Sequence, residues 1–368
     1  MQTNNFQRIV IKVGSSLITG EDGAVRKTWL ASLAGEIAAL KQQNKEVVIV
    51  TSGAVALGRR VLGYGMRKLL LEEKQAAAAC GQAPLLAAWN EALGSSASPA
   101  LVLLTADDST DRRRYLNARN TLDTLLENDR VIPVINENDT VATAEIRFGD
   151  NDRLSARVAQ MIGADLLILL SDIDGLYSAD PRKDKNAQFI AEVANITPEI
   201  EAFAGGAGSD IGSGGMVTKI AAAKIAVTAG CDMVITRGDI DHPLKTLMEG
   251  GKHTRFVAKG SPMSARKKWI AGDMHPIGKV VVDGGAAGAL AGGKSLLPAG
   301  VVSIGGGFER GDTVTIVDVA GRVLGKGLIA YDAEDAQKII GKHSRDFESL
   351  LGFKGRDVLI HRDDMVLD

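Results

Sequence analysis

Three lysines of the 368-residue chain lie in glycine-rich surroundings that suit an anion. Lys12 is followed by Gly14-Ser15-Ser16, Lys219 closes GSGGMVTK (212–219), and Lys294 sits in GALAGGKS (288–295). The last fits the phosphate-cradling pattern G-x-x-x-x-G-K-[ST] letter for letter. Glycine lets backbone N–H groups approach phosphate oxygens, and the lysine offsets their charge. The pattern has this meaning only with a strand before it and a helix starting at the lysine. After Lys294, Pro298 and Gly300 end any helix within about one turn. VTIVD (314–318), which looks like the second strand of such a site, follows too soon for a crossover helix. GALAGGKS therefore reads as a turn. MVTKIAAAKIAVTA, after Gly215, meets no breaker until Gly230, which predicts a helix from about 216 to 229. Lys219 in its first turn opposes the helix dipole by ~0.3–1 kcal/mol, and an anion on the free N–H groups reverses that penalty. The competing reading is a solvent-facing lysine after a glycine loop.

The elements that must position these groups follow from the apolar pattern. Strand-like runs stand at RIVIKV (8–13), EVVIVT (46–51), PALVLLT (99–105), RVIPVIN (130–136), ADLLILLS (164–171) and CDMVIT (231–236). Helix-like, alanine-rich segments lie between them, such as 27–43 and 72–93, which serve as core or as a subunit interface. Continuous apolar strands separated by helices imply a mostly parallel sheet sandwiched by helices. Beyond residue 277, strands alternate with glycine turns until about 332, a small all-β module. The expected organisation is a catalytic domain over 1–262, a linker over 263–277 and a second domain over 278–368.

Ligands of an open parallel sheet bind beyond the carboxyl ends of its strands. Short polar clusters fall there: Lys12 to Ser16, Thr51-Ser52-Gly53-Ala54, Asn136-Glu137-Asn138-Asp139, and Ser171-Asp172. Four such clusters at one edge favour a site. Lys12 lies on the face opposite Ile9, Ile11 and Val13; alone it reads as a stem along the sheet with its ammonium in water. In RFGDNDRLSARVAQMIG (147–163), Asp150 or Asp152 suits the N-cap of the next helix. The alternative is a carboxylate holding two lysines, with Asn151 beside it as a ligand donor.

Composition excludes several classes. With 43 basic and 45 acidic residues the chain is nearly neutral, which gives no general reason for nucleic-acid or membrane binding. Cys80 and Cys231 are far apart, so neither a disulfide framework nor a zinc knuckle is implied. The five histidines make no ligand-spaced pair. No signal peptide precedes RIVIKV and no run approaches ~18 apolar residues, so the expected setting is reducing and cytoplasmic.

The motifs KVGSS (12–16), VTSGAVALG (50–58), VINENDTVATAE (134–145), GDNDRLSA (149–156), SDIDGLYSADPR (171–182) and GSGGMVTK together carry a family likeness. The chain resembles the glutamate 5-kinase (γ-glutamyl kinase) family, of the amino-acid kinase fold. Its C-terminal part, from VDGGAAGAL to HRDDM, resembles the PUA domain appended in that family. Sister kinases for acetylglutamate, aspartate or UMP share the lysine-glycine elements but not NENDTVATAE with GDNDRLSA. Ser171, where threonine is common, and Ser213 depart from the family pattern without removing a charge.

The resemblance implies ATP-dependent phosphorylation of the γ-carboxylate of L-glutamate, the first step of proline biosynthesis. It implies Lys12, Asp152 and Lys219 as catalytic residues. Ser52, Gly53, Ala54, Asn136, Asp139 and Asn151 would bind glutamate, with Asp139 the partner of its ammonium. Lys12, Gly14, Ser171, Asp172, Ser213, Gly214, Gly215, Met216, Val217, Thr218 and Lys219 would bind the nucleotide. No protein metal site is expected, Mg²⁺ arriving on the ATP phosphates. Family expectations also include homo-oligomers (dimer or tetramer), proline as feedback inhibitor, and a glutamyl-phosphate reductase as partner. A PUA module raises RNA binding as a rival, but 278–330 holds five basic and four acidic residues and so no cationic footprint.

Overall fold

The computed structural model describes residues 5–20, 22–65, 67–141, 151–204, 215–272 and 275–367. They form two compact units, Met1–Thr110 with Asn117–Pro262, and Asp111–Leu116 with Met263–Asp368.

Strands of the first unit are β1 (Arg8–Val13), β2 (Glu46–Val50), β3 (Ser98–Leu104), β4 (Val131–Glu137), β5 (Leu166–Ser171), β6 (Leu176–Tyr177), β7 (Phe189–Ile190), β8 (Glu192–Val193), β9 (Asp232–Arg237) and β10 (His253–Phe256). Eight of them make one sheet in the order β3-β4-β2-β1-β5-β9-β10-β8. The pairings from β3 through β9 are all parallel, and β10 runs antiparallel to β9. Each of the six apolar runs is therefore a strand, within a residue or two of its expected ends. The short β8, β10 and the β6–β7 hairpin were not expected; runs of two to four residues carry too little pattern to read.

Both faces of the sheet are covered, as continuous apolar strands require. On one face Ile9, Ile11 and Val13 pack with Leu33 and Ile37 of the helix Lys27–Gln42 and with Leu85 and Trp89 of the helix Leu71–Leu93. The other face carries the helices Asn151–Ile162 and Met216–Thr228, which pack on each other. Lys12 points to that second face by strand alternation.

One helix crossing in this unit is very close. The helix Ala54–Val61 meets Leu71–Leu93 at Gly58 and Gly81. A Cβ at Gly58 would lie 1.7 Å from the Ala77 carbonyl oxygen, and one at Gly81 1.7 Å from that of Ala54. Glycine is thus required on both sides of the contact.

The second unit has strands β11 (Gly278–Val282), β12 (Val301–Gly305), β13 (Thr313–Asp318), β14 (Val323–Leu328) and β15 (Met365–Leu367), ordered β12-β11-β13-β14-β15. Val280, Val282, Ile316, Ile339 and Ile360 form its core. Two stretches differ from expectation. Residues 263–277, expected as a linker, hold most of the helix Pro262–Gly272, whose Ile270 is buried with Leu328. GALAGGKS, expected as a turn throughout, begins inside the helix Gly284–Ala291, which Asp283 caps by accepting from Ala286 N–H at 2.7 Å. Lys294 thus follows a helix C-terminus, the end that repels phosphate. Among the described residues no helix is long and apolar enough to cross a membrane.

Gly81→Ala is expected to destabilise the chain by roughly 2 kcal/mol or more, because backbone must separate from backbone. Gly35→Ala in Lys27–Gln42, where a Cβ meets nothing within 4 Å, is expected to be neutral or stabilising by up to ~1 kcal/mol. Urea midpoints at unchanged m-value test the pair; equal midpoints would refute the close-contact argument.

Candidate active site

β1 is flanked by β2 on one side and β5 on the other, so the chain order reverses at β1. That reversal is where a parallel α/β sheet opens a crevice at its carboxyl edge. Lys12, next to last in β1, pairs in register with Val50 and Leu169 and so stands at the seam. The turns after β2 and β4 lie on one side of it, those after β5 and β9 on the other.

At the seam lies a buried bridge. Lys12 Nζ is 2.7 Å from Asp152 Oδ1, and Lys219 Nζ is 3.1 Å from Oδ2. Lys12, Lys219 and Asp152 are 7%, 4% and 1% exposed. Thr218 Oγ1 also donates to Asp152 Oδ2, at 2.8 Å. Burial acts to raise the Asp152 pKa, but the two ammonium groups and these hydrogen bonds outweigh it and hold the carboxyl down to about 2. The readings of Lys12 and Lys219 as solvent-facing lysines are thereby overturned, since each ammonium meets a buried carboxylate instead of water. The N-cap reading of Asp152 is likewise corrected. It is the second residue of Asn151–Ile162, its carboxylate turned to the lysines. Among the described residues, two ammonium groups share this one carboxylate.

On the β2–β4 side, Asn151 Nδ2 donates to the Thr51 carbonyl at 2.7 Å, to Ser52 Oγ at 2.8 Å and to Asn136 Oδ1 at 3.1 Å. Gly53 takes φ +99°, a left-handed turn that delivers buried Ala54 to the start of its helix. Asp139, in the turn after β4, is 6% exposed. Burial first, and then the charge of Glu137, push its carboxyl up to about 7. Among the described residues Asp139 Oδ1 and Asn151 Oδ1 accept no hydrogen bond, although both are buried. Two acceptors without donors suit an incoming ammonium group.

On the β5–β9 side, Gly215 is the N-cap of Met216–Thr228, exposed, with nothing within 4 Å of a Cβ built on it. The N–H groups of Met216 and Val217 have no intrahelical acceptor, as an anion site needs. Gly14 precedes a short helix, Ser15–Ile18, and a Cβ built on it would lie 3.8 Å from Lys12 Nζ, so its backbone runs beside that ammonium. Ser171 Oγ donates to the exposed Asp172 at 3.0 Å, and the Ser171 carbonyl accepts from Gly238 N–H at 2.7 Å. The loop beyond is braced by Tyr177, which donates to Asp174 at 2.8 Å, and by Lys252, 3.2 Å from the same carboxylate. Ser213, Gly214 and Asp150 lie outside the described residues.

The structure thus gathers Lys12, Asp152, Lys219 and Thr218 in one cluster and Ser52, Asn136 and Asn151 in an adjoining hydrogen-bonded one. Gln82 escaped the sequence reading: its Oε1 accepts from Asn136 Nδ2 at 3.3 Å. Its signal was faint, an amide beside Gly81 on an alanine-rich helix that also carries Gln75.

Residues 7–237 match the family model described as amino acid kinase family, and 278–351 match that of the PUA domain. The chain belongs to the amino acid kinase family. Over 98% of its length it is 59% identical to the glutamate 5-kinase of Paramagnetospirillum magneticum, covering 98% of that protein. It is 54% identical over 99% of its length to glutamate 5-kinase 1 of Rhizobium meliloti, covering 92% of it. The glutamate 5-kinase of Sinorhizobium fredii is 54% identical over 98% of the chain, with 92% of its own length covered. The resemblance read from the motifs is borne out along nearly the whole chain, and so is the fold: an amino acid kinase sheet between helices, followed by a PUA domain.

The environment of Asp139 gives a stability test. Its folded pKa lies above the unfolded value near 3.8, so stability falls as pH rises between the two, and the loss is complete above about 7. In the ligand-free kinase, Asp139→Asn is expected to gain stability over the parent as pH rises from 4 to 7, reaching roughly 2–4 kcal/mol at pH 8. Urea melts at pH 5 and pH 8 measure it; a gain no larger at pH 8 than at pH 5 would contradict the buried-carboxyl account.

Proposed function

We propose that this kinase transfers the γ-phosphoryl group of ATP to the γ-carboxylate of L-glutamate, giving γ-glutamyl phosphate and ADP. The observation that carries the reading is the Lys12–Asp152–Lys219 bridge at the seam, with donor-poor buried acceptors on one side and a helix N-terminus without a side-chain cap on the other. The names of the relatives supply the substrate.

Phosphoryl transfer asks mainly for alignment and charge neutralisation. The acceptor lies over the turns of Ser52, Gly53 and Ala54, its ammonium against Asp139 and its reacting carboxylate toward β1. Asn136 and Asn151 hold those turns. The nucleotide lies over the β5–β9 side, bounded by Ser171 and Asp172. Its phosphates meet the N–H groups of Gly14 and of Gly215 to Val217. Lys12 and Lys219 flank the transferring group and neutralise its equatorial oxygens. Asp152 fixes the two ammonium groups at one separation, and Thr218 fixes Asp152. Mg²⁺ would be held by phosphate oxygens and water, because both Asp152 oxygens face cations and no three-ligand cluster exists among the described residues. Its chemistry would be neutralisation of phosphate charge.

The decisive assay is glutamate-dependent ADP release, with and without proline, beside acetylglutamate, aspartate and UMP as acceptors. Turnover with one of these and none with glutamate would overturn the reading. Lys12→Ala and Lys219→Ala are each expected to lower kcat by ~10²–10³-fold, the scale of a lost electrostatic donor. Lys294→Ala is expected to leave kcat unchanged.

A further inference from the structure

The amide side chains beside the bridge form a chain whose donor–acceptor sense is fixed by the backbone. Glu137 N–H donates to Asn136 Oδ1 at 2.9 Å, so Asn136 must present Nδ2 on its other side. That group donates to Gln82 Oε1. Asn151 Nδ2 is tied to the Thr51 carbonyl and to Asn136 Oδ1, so the Asn151 oxygen faces away from them. The chain therefore ends in an acceptor, Asn151 Oδ1, and a donor, Gln82 Nε2. Among the described residues neither terminal atom has a partner. Gln82 follows Gly81, whose contact with the Ala54 carbonyl holds this part of the helix Leu71–Leu93 against the 52–54 turn.

An α-amino acid needs both ends: acceptors for its ammonium and a donor for its α-carboxylate. Asn151 Oδ1 and Asp139 Oδ1 supply the first, and Gln82 Nε2 is the side-chain amide donor that ends the same chain. We infer that Gln82 is a substrate-binding and specificity-determining residue, its Nε2 donating to the α-carboxylate of the acceptor amino acid. This rests on the proposed phosphorylation of glutamate. It adds a selectivity: an acceptor whose α-carboxylate is neutralised loses a charge-assisted hydrogen bond.

Gln82→Glu is the sharpest test. The variant keeps an acceptor for Asn136 but sets a carboxylate where a donor is needed. The KM for glutamate is expected to rise at least ~30-fold, the scale of a lost hydrogen bond to a charged group. The KM for ATP and the melting temperature should stay unchanged. The α-amide of glutamate, with its γ-carboxylate free, reads the contact directly. Its carboxamide can donate to the carboxylate that this substitution introduces, so the preference for glutamate over the amide should shrink by roughly 10-fold or more. Gln82→Met, which removes the donor without adding charge, should raise the glutamate KM and leave that of ATP alone. An unchanged glutamate KM in both variants, or an unchanged preference in Gln82→Glu, overturns the assignment while leaving the function standing. Absence of glutamate turnover in the wild-type chain overturns both.

Discussion

Two ammonium groups and one carboxylate share a space from which water is almost wholly removed, and the sheet is arranged to make that possible. Burying an ion is costly unless an opposite charge and hydrogen bonds compensate it. Asp152 compensates both lysines at once. The bridge sits beside the N-terminus of Met216–Thr228, which adds a partial positive charge of its own. Each partner comes from a different element: the central strand, the helix Asn151–Ile162 and the helix Met216–Thr228. The tight packing of those two helices is what keeps Lys219 within reach of a carboxylate 67 residues earlier in the chain.

A second carboxylate at the same edge shows how environment divides labour. Asp152 has cations against it and stays ionised far below neutrality, whereas Asp139 has burial and Glu137 and holds its proton up to about 7. The first is fixed in charge across the physiological range. The second changes charge within it and gains most from an arriving cation. Pairs of acids driven apart in this way mark a site whose halves do different work.

Much of this was legible in the letters. The six long strands announced themselves as continuous β-branched and leucine runs, and a parallel sheet places whatever follows its strands at one edge. Gly215 before an unbroken helical stretch located the start of the helix that carries Lys219, while the letter-perfect GALAGGKS proved to start within a helix and to place Lys294 after it. What could not be read was proximity. Nothing local distinguishes an aspartate that caps its own helix from one that binds lysines on two other elements, because the competing contacts are far apart in sequence. Gln82 was invisible for the same reason: an amide among alanines gains meaning only when Asn136 is seen opposite it. The short β8 and β10 carry no periodicity of their own: β10 forms on the edge that β9 offers, and β8 on the edge of β10.

Neighbouring positions on one helix serve the two sides of the crevice. Asn151 turns its amide to the β2–β4 turns, and Asp152 turns its carboxylate to the lysines. Successive residues of a helix point about 100° apart, so a single peptide link holds the two halves in phase. Rotation of this one element by a residue would misalign both at once, and the sheet has no way to correct one without the other. The helix start thus works as a shared index mark, which confines evolutionary change in acceptor preference to side chains and leaves the length of this segment fixed.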